Sequence, residues 1–128
     1  MSSINGRKIL VVDDNADGAE SMAFVLRALG HDADYLSDAR RVMGMVRERK
    51  PDAVFLDINM PYLDGYQLAA MLKRELEDLH VVAITGRDSS LDRKLSREAG
   101  FDAHVAKPAD AALLQSILET LFAPPRRR

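Results

Sequence analysis

Five residues could share one piece of chemistry: Asp13, Asp14, Asp57, Thr85 and Lys107. Each follows a short apolar run. Asp13 and Asp14 close ILVV at 9–12, Asp57 closes AVFL at 53–56, Thr85 closes VVAI at 81–84 and Lys107 closes AHVA at 103–106. Carboxylates brought together repel one another, yet they are the hard oxygen ligands that magnesium requires. A third carboxylate, a hydroxyl and an ammonium beside such a cation make a phosphoryl-transfer set. The cation and Lys107 neutralise equatorial oxygens, Thr85 donates a hydrogen bond to one, and Asp57 attacks phosphorus to give an aspartyl phosphate. Taken alone, Asp13 and Asp14 also fit the start of the next helix, where acidic side chains are common. The matching placement of the other three residues after apolar runs favours the chemical reading.

Elements must bring those residues to one place. The four runs are of strand length and lack polar alternation, which suits strands covered on both faces by helices. HDADYL at 31–36 reads as a fifth strand, at an edge. Between the strands the spacing predicts helices over 16–29, stopped by Gly30; over 37–49, capped by Ser37 and ended by Lys50-Pro51; over 65–76; over 90–99; and over 110–122. Met22, Leu26 and Leu29 mark the inner face of the first, Leu68, Met71 and Leu72 that of the third, and Leu113, Leu114, Ile117, Leu118 and Leu121 that of the last. Strand and helix alternate throughout. That pattern gives a right-handed parallel α/β sheet, in which ligands bind at the carboxyl ends of the strands.

Composition excludes several classes. The 128 residues fit one domain with one core, expected to span about 7–122 and to be followed by a short basic tail at 123–128. Basic and acidic residues nearly cancel, 18 against 20, leaving no global field to hold nucleic acid or an anionic membrane. There is no cysteine for a disulfide scaffold or a thiolate metal site. No apolar run reaches the roughly 18 residues of a membrane span. The expectation is a soluble, cytoplasmic protein.

In order along the chain, ILVVDDN, FLDINMPYLDGY, AITG and VAKP resemble the receiver domain of bacterial two-component response regulators, over residues 7 to 122. The resemblance implies a flavodoxin-like, doubly wound (βα)5 fold with strand order 2-1-3-4-5. It also implies Asp57 as phosphoacceptor, with Thr85 and Lys107 contacting the phosphoryl group. Mg2+, for which Mn2+ can substitute, would be held by Asp13, Asp14, Asp57 and the backbone carbonyl of Asn59. The Lys107-Pro108 peptide is expected to be cis, as is usual in the family, whereas Lys50-Pro51 reads as a helix terminator. Met60-Pro61 and Asp64-Gly65 would shape the loop after Asp57, as ordinary turn chemistry also allows. Gly86 resembles the small residue that the family places after its threonine. Two positions depart from or vary within the pattern. His104 stands where the family has its switch aromatic, giving a candidate switch pair of Thr85 and His104 against a plainly packed histidine. Arg87 stands where the family tunes dephosphorylation, or is a solvated surface arginine.

The implied function is signalling: a phosphoryl group taken from a histidine kinase or histidine phosphotransfer protein, with self-phosphorylation and slow hydrolysis as its only catalysis. Output would pass to a downstream protein through the face of the fourth helix, fifth strand and fifth helix. A magnesium-dependent aspartyl phosphatase of the haloacid dehalogenase type is disfavoured. Its second aspartate acts as acid and base, and Asn59 at that position holds no titratable proton. A phosphorylation-independent pseudo-receiver is disfavoured by the presence of all five site residues. No DNA-binding segment is visible after the last helix, and the Arg126–Arg128 run reads as a solvated tail. SREAGFDAHVAKP at 96–108 is similar to receivers at the ends of hybrid sensor kinases, which favours a relay origin over a stand-alone receiver.

Overall fold

The computed structural model describes residues 6–60, 64–86 and 100–122. Its elements, in chain order, are β1 (Lys8–Val12), α1 (Ala16–Ala28), β2 (Asp32–Leu36), a 3₁₀ turn (Ala39–Arg41), α2 (Val42–Arg49), β3 (Ala53–Asp57), α3 (Gly65–Glu75), β4 (His80–Thr85), β5 (Ala103–Ala106) and α4 (Ala111–Phe122). The five strands are all parallel and lie in the order β2-β1-β3-β4-β5, as the resemblance implied. β2 is an edge, as expected, and β3 is central.

Successive strand residues point to opposite faces, so an apolar run of four supplies two cores at once. Leu10 and Val12 of β1 join Val54 and Leu56 of β3 in one layer with Val42 and Val46 of α2 and Leu68 and Leu72 of α3. Ile9 and Val11 join Phe55 and Ile84 in the other, with Ala23 and Leu26 of α1 and Leu114 and Leu118 of α4. Helices therefore cover both faces of the sheet. Among the described residues no helix is long and apolar enough to cross a membrane.

Several boundaries differ from the sequence reading. Ser37 does not cap the second helix. Asp38 accepts from the Arg40 N–H and holds the Arg40 side chain through Nε and Nη2, which closes a tight 3₁₀ turn before α2 begins at Val42. α2 does end before Lys50-Pro51, with Lys50 in the left-handed region at φ 49° because the proline ring crowds the right-handed helical conformation. Met71 and Leu113, read as inward-facing, are exposed, and Ala69 is buried in the α3 contact instead. The predicted helix at 90–99, with Arg87, Pro61 and the tail at 123–128, lies outside the described residues.

Candidate functional site

Register decides which side chains can meet. Val12 pairs with Leu56, Asp57 with Ile84, and Thr85 with Ala106, so Asp13, Asp57, Thr85 and Lys107 all emerge at the carboxyl end of the sheet. The Lys107 N–H extends that pairing by donating to the Thr85 carbonyl at 2.9 Å. The Lys107-Pro108 peptide is cis, as expected.

Asp13 and Asp57 are oriented alike. In each, Oδ1 accepts from the backbone N–H two residues on, Asn15 for Asp13 at 3.1 Å and Asn59 for Asp57 at 2.9 Å. Each is thereby left with Oδ2 facing the same ammonium, Lys107 Nζ, at 2.7 Å from Asp13 and 3.3 Å from Asp57. The two aspartates are only 2% and 5% exposed, and Thr85 5%. Asp14, by contrast, is exposed, and one ligand oxygen from each of Asp13, Asp14 and Asp57 lies within 4.8 Å of the others. Asn15, not either aspartate, caps α1, its side chain accepting from the Gly18 N–H at 3.1 Å. The capping role that Asp13 and Asp14 could have filled is taken, and both carboxylates remain for the crevice.

The electrostatics divide the carboxylates. Burial raises the Asp57 pKa, and the neighbouring Asp13 adds to that, outweighing the Asn59 N–H and Lys107; the net shift is upward. Burial pushes Asp13 up as well, but the Lys107 hydrogen bond and the Asn15 N–H outweigh it, and its pKa falls below the ordinary carboxylate value. Burial opposes the Lys107 charge, yet its two carboxylate partners win and raise its pKa. The site thus holds more negative charge than a single ammonium compensates. Clustered carboxylate oxygens, one of them exposed, form the hard donor set a magnesium-sized cation fits.

Structure brings Asp13, Asp14, Asp57 and Lys107 into one cluster. Thr85 stands at the adjacent strand end, with no hydrogen bond from its side chain to those four. Asn59 lies in the loop and is tied to Asp57 through its N–H. His104 is outside the cluster, half-buried on β5 opposite Ala83. Two glycines position the site, and of these sequence reasoning singled out only Gly65, in the Asp64-Gly65 pair. Gly65 permits α3 to start directly against the loop, since a Cβ there would sit 2.8 Å from Ile58 Cα. Gly18 passes close to the buried Asp13 carboxylate, its absent Cβ 3.3 Å from Asp13 Oδ2. Only the DG pair at 64–65 hinted at the first, and nothing in the sequence marked the second.

The family model described as response regulator receiver domain matches residues 9–119. The chain belongs to that family. It is 36% identical over 101 residues to response regulator MprA of Mycolicibacterium vanbaalenii, covering 79% of this chain and 44% of MprA. It is 34% identical over 127 residues to transcriptional regulatory protein PrrA of Mycobacterium tuberculosis, covering 99% of this chain and 53% of PrrA. The chain therefore spans about half the length of the curated relatives it matches. Among solved structures it is similar to a CheY-like response regulator receiver domain from Methylobacillus flagellatus, at a TM-score of 0.80 and 32% identity, covering 91% of this chain and 99% of that one. It is a receiver domain of two-component signalling, with the fold and acidic pocket of that family.

Proposed function

We propose that Asp57 is the phosphoacceptor and that the domain signals by the change this modification causes. The observation that carries the reading is Lys107 Nζ held between Asp13 Oδ2 and Asp57 Oδ2 at the carboxyl end of the sheet. In the transfer, an Asp57 oxygen forms the new P–O bond while the P–N bond of a phosphohistidine donor breaks and its electron pair returns to the imidazole. The Asn59 N–H fixes the Asp57 carboxylate beforehand, and Lys107 supplies positive charge to the phosphoryl oxygens. Thr85, at the adjacent strand end, would donate to one of them. Asp13, Asp14, Asp57 and the Asn59 carbonyl would hold Mg2+ or Mn2+, which supplies charge neutralisation at the transferred group.

Histidine kinases or histidine phosphotransfer proteins fit as donors, because an aspartate acceptor draws its phosphoryl group from a phosphohistidine. Phosphorylation and its slow reversal are then the only catalysis expected, in the cytoplasm where such donors act. The 128 residues are proposed to form a single domain that contacts protein rather than nucleic acid or membrane, as the near-balance of 18 basic and 20 acidic residues favours. PrrA, twice as long, is named a transcriptional regulatory protein. A DNA-directed role for a longer protein containing this domain would therefore reside in further sequence. Output is assigned to the side of the sheet bearing β5 and α4, with Thr85 and His104 as the switch pair. A relay origin beside a hybrid kinase remains the favoured setting for that output.

Intact-mass analysis with acetyl phosphate tests the acceptor. Wild type is expected to gain one phosphoryl group only with Mg2+ or Mn2+ present, and Asp57→Asn none. Equal labelling of both proteins would overturn the assignment. His104→Ala is expected to keep labelling of Asp57 while weakening the phosphorylation dependence of partner binding; an unchanged dependence would make His104 a packing residue.

A further inference from the structure

At the opposite end of the sheet from the carboxylates, a second polar cluster is sealed into the fold. His31, between α1 and β2, is only 5% exposed. Its Nδ1 accepts from the Arg7 N–H at 3.3 Å, so the proton of the neutral ring sits on Nε2. The flanking backbone is pinned as well, Gly6 N–H to the Gly30 carbonyl at 3.0 Å and Asp32 N–H to the Arg7 carbonyl at 2.9 Å. The Arg7 guanidinium lies over the Phe122 ring, 4.3 Å from its centroid, and the His80 ring meets the same phenyl edge-on at 4.9 Å. Arg7 and its neighbours therefore clasp the last turn of α4.

We infer that His31 is an acid-sensitive latch on the C-terminal turn of α4. A second proton on the imidazole must go to Nδ1, the atom that accepts from Arg7. The hydrogen bond to residue 7 is then lost, and a new cation is placed in a buried position beside an existing one. Burial opposes that charge first, and Arg7 adds to it; Gln115 of α4 acts in the other direction, and the net pKa is below the ordinary imidazole value. His31 Nε2 and Gln115 Oε1 are both buried and neither completes a hydrogen bond among the described residues, while Gln115 Nε2 donates to Glu119 Oε2 at 3.3 Å. Arg7 Nε is buried without a partner too, so its hold on this end rests on the Phe122 ring and on the placement of its backbone.

The charged groups around the clasp come from several elements. Arg7 precedes β1, Asp52 accepts from the Lys8 N–H, and Glu119 belongs to α4. On the far side of Phe122, His80 Nδ1 stands 3.8 Å from Asp102 Oδ2, which is paired to Lys73 at 2.7 Å. A charge on His31 meets the Arg7 guanidinium, whereas the Asp102 carboxylate stands beside His80 Nδ1. Acid therefore strains the His31 side of the clasp. The consequence is a loosened α4 end and a freed Phe122.

NMR titration of the full chain, with amide exchange of Leu121 and Phe122 corrected for intrinsic rates, tests the latch. In wild type the His31 ring is expected to titrate below the ordinary imidazole value. Protection of Leu121 and Phe122 should fall at least several-fold as it does so, with the Phe122 ring resonances moving in step. His31→Gln should remove that pH dependence, and His80→Asn should leave it in place. Arg7→Gln should uncouple the Phe122 signals from the His31 titration while His31 still titrates. Wild-type Phe122 signals that do not follow His31, or a pH dependence surviving in His31→Gln or vanishing in His80→Asn, would overturn the inference.

Discussion

Asp57 is the residue at which the proposed function and stability oppose each other. Its folded-state pKa is raised, so the stability linked to it is complete below the unfolded carboxyl pKa, about 3.9, and is lost as pH rises through the folded value. At neutral pH without a divalent cation the ionised group therefore destabilises the fold. Asp57→Asn, measured by thermal melting at pH 7 in chelator, is expected to raise Tm; a lower Tm would show that the carboxylate is better compensated than its surroundings suggest. Asp13 has the reverse sign. Its depressed pKa contributes stability above the unfolded value that is lost as pH falls through the folded one, and Asp13→Asn should lower Tm at pH 7. At this scale the site was largely legible, because strand-end position alone groups Asp13, Asp57, Thr85 and Lys107. The cap at Asn15 was not. An aspartate, aspartate, asparagine run offers three capping side chains, and only the backbone geometry selects the third.

Two glycines separate close approach from bare flexibility at the level of elements. Gly65 begins α3, and any Cβ there would meet Ile58 Cα at 2.8 Å, a backbone atom one residue beyond Asp57. Gly65→Ala must push α3 and the loop apart. It is expected to destabilise by about 1–3 kcal/mol in urea unfolding and to weaken magnesium binding, as overpacked sites do. Gly44, inside α2, has nothing within 4 Å of its absent Cβ. Gly44→Ala should instead stabilise by about 0.5–1 kcal/mol through helix propensity, leaving magnesium binding unchanged. Element types and order were readable from the apolar runs. Helix faces were less so. Met71 and Leu113 obey helical spacing yet are exposed, since α3 and α4 bury small Ala69 and central Leu114 where they approach the sheet. Asp38 shifted the start of α2 through side-chain bonds to Arg40 that no periodicity encodes.

The whole molecule balances two ends of one sheet. Excess negative charge gathers at the carboxyl end, so Mg2+ that binds only the folded chain should stabilise it by mass action, about 2.7 kcal/mol at a hundredfold excess over Kd. Differential scanning calorimetry is expected to show Tm rising with MgCl2 and not with NaCl of matched ionic strength. Equal shifts in the two salts would count against a specific cation. The overall architecture followed from alternation of runs and helices. Packing of Arg7, His31, His80 and Phe122 at the far end did not, because it joins residues from opposite ends of the chain whose types suggest nothing in isolation.

Lys107 contacts Asp57 across 50 residues of sequence, and it lies on the loop after β5, the last strand among the described residues. During synthesis, the first four strands can emerge and pair while their two buried carboxylates still lack the ammonium that holds them together. The contact that joins Asp57 to Lys107 is thus among the later ones to form as the chain is made.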